Sequence, residues 1–126
     1  MSKACICKPA EIMVFACSGG GANVGQISNN AALEITKDGK AKMYCLAGLG
    51  GHIPGIIEAT RQAKKVVVVD GCPVACAKKM VEHVGINIDH YIVVTEEGIE
   101  KTPGKFDMTN GEINKIKELI EQKISE

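Results

Sequence analysis

The 126-residue sequence has no tryptophan, two tyrosines and two phenylalanines, an aromatic content of 3%. It therefore has little from which to build an aromatic stacking platform for nucleic-acid bases. Arginine is almost absent: Arg61 is the sole instance. That removes the guanidinium with which cysteine-nucleophile phosphatase and sulfur-transfer loops clamp an anion. Net charge is missing too, with 15 basic and 15 acidic residues. The balance hides an uneven distribution, because residues 1–80 carry ten Lys/Arg against five Asp/Glu and residues 81–126 carry five against ten. The basic excess is scattered and without aromatic companions, so an ordinary solvated surface is expected and nucleic acid is not. No apolar run approaches the roughly 20 residues needed to cross a bilayer. Residues 1–9 hold no apolar stretch that could act as a secretion signal. The expectation is a cytoplasmic protein with no membrane association.

What is present is a 45% hydrophobic content dominated by Val, Ile, Ala and Leu, enough for a core without covalent staples. Short apolar runs alternate with helical periodicities. Glu11–Cys17 reads EIMVFAC and stops in glycines, which predicts a buried strand. Val24, Ile27, Ala31 and Ile35 then lie on one helical face, closed by Asp38-Gly39. Ala41–Cys45 is the second expected strand. Pro54 opens a second helix with Ile53, Ile56, Ile57, Thr60 and Ala63 inward. Val66–Asp70, four valines and an aspartate, reads as a central parallel strand buried on both faces. A helix through Val84, with Cys76, Met80 and Val84 on one face, is stopped by Gly85. His90–Thr95 is the fourth strand. Thr109 and Glu112 have capping-box spacing, Met108 and Ile113 can form a hydrophobic staple, and Ile113, Ile116, Ile120 and Ile124 form an inner stripe. This alternation predicts an α/β fold, a three-layer αβα sandwich with a mostly parallel sheet of about four strands, over residues 11–126. Residues 1–10 form a separate N-terminal segment with the pair Cys5 and Cys7. Strand order and oligomeric state cannot be read from the pattern.

Six cysteines are the unusual feature. Cys17, Cys45 and Cys72 each stand at the carboxyl end of an expected strand, and Cys76 lies one turn into the next helix. In a parallel sheet those ends share the edge where ligands bind. Four thiolates resist burial unless a cation compensates them, so the expectation is one Zn²⁺ held by Cys17, Cys45, Cys72 and Cys76. An iron–sulfur cluster is the alternative with the same ligands. Glycines in GGG, GLGG and DG would donate N–H bonds to the sulfurs. Each cysteine also has a plainer reading as a small buried apolar residue, and the same cysteines are open to a thiol-dependent redox or sulfur-transfer enzyme, although Cys72 and Cys76 are separated by three residues rather than two. Cys5 and Cys7 fit alternating placement on a short strand better than a thiol relay.

Asp70-Gly71-Cys72, with the valine-rich strand before it and Pro73-Val74-Ala75-Cys76 after it, resembles the central motif of the DGC-domain family, small proteins regarded as zinc binders. The resemblance takes in Cys17 with Ser18-Gly19-Gly20 and Cys45 with Ala47-Gly48-Leu49-Gly50-Gly51, and so covers roughly residues 12–95. It implies that the family's metal-chelating cysteines fall on Cys17, Cys45, Cys72 and Cys76, and it names no reaction.

Other chemistry finds less support. Ser18–Gly25 has the composition of a phosphate loop but lacks the terminal GK[ST] of a Walker motif and the GxGxxG register of a dinucleotide site. A small anion in the nest of N–H groups, or a protein partner at the glycine-rich loops, remains open. His52, seven residues after Cys45, is a candidate neighbour of the site, and Asp70 is expected to accept N–H bonds from the Cys72–Cys76 turn. No carboxylate pair is placed for general acid–base work.

Overall fold

A computed structural model describes residues 11–126. The Cys5/Cys7 segment lies outside the described residues. Strand β1 (Ile12–Ala16) leads into helix α1 (Asn23–Lys37), β2 (Lys42–Met43), α2 (Leu46–Gly50) and α3 (Pro54–Arg61). Then come β3 (Lys65–Asp70), α4 (Cys76–His83), β4 (His90–Val93), a 3₁₀ turn at Val94–Glu97 and α5 (Asn110–Ile124).

All four strands are parallel, in the order β2-β1-β3-β4. The central pair aligns Val14 with Val67 and Phe15 with Val68. No polar residue interrupts the valines of β3 because both faces are covered: Val67 and Val69 pack under α1 and α5, while Val66 and Val68 pack under α2, α3 and α4. The two cores account for the expected αβα layers. In the first, Ile27, Ala31 and Ile35 of α1 meet Ile116 and Ile120 of α5, all fully buried. In the second, Met13 and Phe15 meet Leu49, Ile56, Ala77 and Val81.

The helix ends follow local chemistry. Thr109 and Glu112 form the reciprocal capping box, with bonds of 3.0 and 2.9 Å. Gly39, at φ +75°, takes the left-handed conformation that ends α1. Four expectations are corrected. Only Lys42–Met43 of the second strand pairs. LAGLG is the short helix α2 rather than a loop, because bare Gly48 and Gly50 let Ile56 and Met80 pack against its backbone. On α4 the inward residues are Ala77 and Val81, not Cys76, which is exposed. Val94 and Thr95 leave the strand for the 3₁₀ turn. Among the described residues, no helix is long and apolar enough to cross a membrane.

Candidate functional site

The order of the strands locates a crevice before any side chain is considered. From β1 the chain crosses to β2 on one side, and from β3 it crosses to β4 on the other. The loops after β1 and β3 therefore diverge at the carboxyl edge, the position where parallel sheets take ligands. A cavity of about 130 Å³ lies there, lined by the β1–α1 loop, the first turn of α1, the β3–α4 loop and Lys101.

Glycine makes the close approach of these segments possible. A Cβ on Gly71 would stand 2.8 Å from the backbone nitrogen of Gly25, and one on Gly19 would stand 2.9 Å from the Gly25 Cα. Such distances leave no room for a side chain. The polypeptide is held there by side-chain bonds as well: Ser28 Oγ donates to the Cys17 carbonyl, and Gln26 Nε2 donates to the Ser18 carbonyl at 2.8 Å.

Asp70 is the organising residue of the β3–α4 side. It is 1% exposed yet fully engaged: Oδ1 accepts from the Ala77 backbone N–H at 2.8 Å, and Oδ2 accepts from the Lys78 N–H at 3.0 Å and the Tyr91 hydroxyl at 2.8 Å. It caps α4 from outside the helix, since the N-cap residue itself is Ala75, in the left-handed conformation at φ +62°. The expected bonds to the Cys72–Cys76 turn thus fall just beyond it, on α4. Burial, followed by the bond to Asp70, pushes the Tyr91 phenol well above its ordinary value. Lys78 lies over the same ring, 5.1 Å from its centroid.

The cysteines do not form a metal centre. Among the described residues, no three His, Cys, Asp or Glu side chains stand together so as to hold a metal ion. The four described cysteines are free thiols. This overturns the expected Zn²⁺ site of Cys17, Cys45, Cys72 and Cys76, the iron–sulfur cluster on the same ligands, and the thiol redox or sulfur-transfer centre. The physical reason is divergence. The crossovers bring the three strand ends to one edge, but Cys17 packs against the α2–α4 core and Cys72 against the α1–α5 core. Cys17 Sγ accepts the Gly19 N–H at 3.1 Å. Cys72 Sγ accepts from Lys101 Nζ at 3.4 Å. Cys76 opens α4 and is exposed, while Cys45 occupies the N-cap of α2, after the edge strand and away from the crevice. Cys17, Cys72 and Cys76 all line the cavity, as thiols along its walls. Burial raises the Cys17 thiol above its ordinary value, against the opposing bonds from the Gly19 and Gly71 backbone, so Cys17 is neutral at neutral pH.

The candidate His52 turns elsewhere. It sits at φ +56° after α2, and its ring meets that of His83 edge-on at 5.3 Å. Lys101, by contrast, escaped the sequence reading because it lies 29 residues from Cys72, in a segment without regular structure. Asn23 fixes that segment, donating to the Glu100 carbonyl and accepting from the Thr102 N–H. No local sequence signal marks that long-range pairing.

Comparison with known proteins bears on the whole of this edge. The chain is 32% identical over 93 residues to the Anaerobic and virulence modulator AnvM of Pseudomonas aeruginosa, a match covering 74% of this chain and 70% of that protein. No solved structure matches the chain significantly. The family model of the DGC domain matches residues 13–120, which takes in β3, β4, the Asp70 cap and Lys101, and the chain belongs to the DGC domain family.

Proposed function

We propose that this chain is a cytoplasmic ligand-binding modulator: it takes a small anion in the crevice between the β1–α1 and β3–α4 loops and presents those loops to a protein partner. The observation that carries the reading is the charge content of the cavity. Among the described residues, its charged lining residues are Asp70 and Lys101. Asp70 is buried and has its oxygens committed to three donors. Lys101 is exposed, and its Nζ donates to the Cys72 thiol at 3.4 Å, a weak acceptor that occupies one of the ammonium's three donors. An entering molecule thus meets a cation and the first turn of α1, whose N-cap is an alanine without a side-chain cap. The word "modulator" in the name of the Pseudomonas relative agrees with a protein that acts by binding.

Thermal unfolding of the full chain against a panel of small anions tests this. A ligand of the native state raises the midpoint by mass action, and Lys101→Met is expected to remove the rise without lowering the midpoint of the unliganded protein. Equal responses from the parent and the variant would refute the site.

A further inference from the structure

The crevice has a further property that its glycine-rich loops conceal. A strand, a glycine loop and a helix suggest phosphate, but the charge and the walls here fit a different anion. We propose, resting on the ligand site of the preceding section, that the cavity selects a short-chain monocarboxylate with an apolar tail over phosphate.

Three features support the choice. The first is charge. Lys101 is balanced within the same lining by Asp70, whose hydrogen bonds do not cancel its negative charge. One anionic charge can be matched by the ammonium, whereas the second charge of a phosphate dianion would meet the carboxylate of Asp70 in a partly dehydrated space, where like charges repel strongly. The second is the walls. Ala22, Val24, Val74 and Ala75 face the cavity beside glycine methylenes and thiols, and protein thiols behave as small apolar groups. The neutral Cys17 belongs to that wall. A fully hydrated anion gains nothing from such surfaces, and a hydrocarbon tail does. The third is size. A cavity of about 130 Å³ is close to the roughly 150 Å³ known to admit benzene, so it suits a ligand of about six heavy atoms. At its mouth Val74 is 56% exposed, an apolar rim on which a longer tail can lie.

The experiment is an amide chemical-shift titration of the isotopically labelled full chain with acetate, butyrate, hexanoate and inorganic phosphate, following Gly19, Gly25 and Gly71. Affinity is expected to rise from acetate through hexanoate, by up to about fourfold for each methylene that is buried, with phosphate weakest. Lys101→Met should weaken hexanoate by about tenfold or more, the loss of a charge-assisted bond. Val74→Ser, at an exposed position on the rim, should weaken hexanoate more than acetate and so flatten the dependence on chain length. If phosphate binds more tightly than hexanoate and Lys101→Met abolishes its effect, the anion site stands and the selection of a carboxylate is overturned. Chain-length independence overturns the selection as well. If no anion shifts these amides in a Lys101-dependent way, both readings fail together.

Discussion

Replacing Asp70 by alanine is the sharpest perturbation of this fold, because one buried carboxylate holds the start of α4 and the side chain of β4 at once. The substitution removes the acceptor for the Ala77 and Lys78 N–H groups and the Tyr91 hydroxyl. A hydrogen bond to a charged group contributes about 1.5–3 kcal/mol, and an orphaned buried donor costs about 1–3 kcal/mol. The Ala77 bond is buried and the other two are part-buried, so water replaces some of the loss at Lys78 and Tyr91. Relief from burying the carboxylate offsets a further part. The expected net destabilisation is about 3–4 kcal/mol, a large fraction of the roughly 5–15 kcal/mol that holds a domain folded. Urea unfolding at neutral pH, followed by circular dichroism, measures it. Tyr91→Phe removes only the hydroxyl and should cost about 1 kcal/mol. In the Asp70→Ala background that cost should largely vanish, since the acceptor is already gone. The reasoning fails if Asp70→Ala lies within about 1 kcal/mol of the parent, or if the two substitutions are additive.

Other consequences are open to measurement. Because the folded-state Tyr91 phenol is raised above its unfolded value, the native state holds its proton longer; stability should be fully present below about pH 10 and fall as pH rises beyond it, and Tyr91→Phe should flatten that alkaline limb in urea titrations. Alkylation at neutral pH, read by peptide mass mapping, should modify the exposed Cys45 and Cys76 well before Cys17, which is half-buried and neutral; equal rates would contradict the burial. Gly71→Ala should destabilise by about 1–3 kcal/mol through backbone overlap with the first turn of α1, whereas Gly20→Ala, with nothing near the added methyl, should be close to neutral in thermal melts. A similar loss at both positions would mean that the crossing of the two loops is not the tight one described.

The parts of this fold legible in the sequence were those set by local chemistry. Four valines without alternation fixed β3 as central because nothing but two-sided burial tolerates them, and the Thr109–Glu112 spacing placed the start of α5 within the first turn. The parts that escaped depend on what lies across the fold. LAGLG looks like a loop by glycine content, and it becomes helical because those glycines admit Ile56 and Met80. Strand order is a tertiary outcome, and with it the location of the crevice between β1 and β3. The cysteines were placed correctly along the chain and at the sheet edge, but the direction of a side chain at a strand end depends on residue parity and loop path. Cys17 and Cys72 consequently lean into opposite layers.

That divergence changes what the Asp70-Gly71-Cys72 triplet does. Each of its residues joins different elements. Asp70 ties β3 to α4 and β4 through the bonds to Ala77, Lys78 and Tyr91. Gly71 offers a bare backbone against which the Val24–Gly25 turn of α1 packs, and its carbonyl accepts the Thr95 N–H beyond β4. Cys72 leans toward the α1–α5 core and brings its sulfur to Lys101. Three successive residues thereby connect both helical layers, the edge strand and the cation of the crevice. Such a junction needs a carboxylate, an absent side chain and a small polarizable group in that order, whether or not a ligand is bound. The shape of the pocket is then a property of the junction, and any ligand that displaces Lys101 from Cys72 acts on a residue bonded, through the backbone of Gly71, to the capping carboxylate of α4.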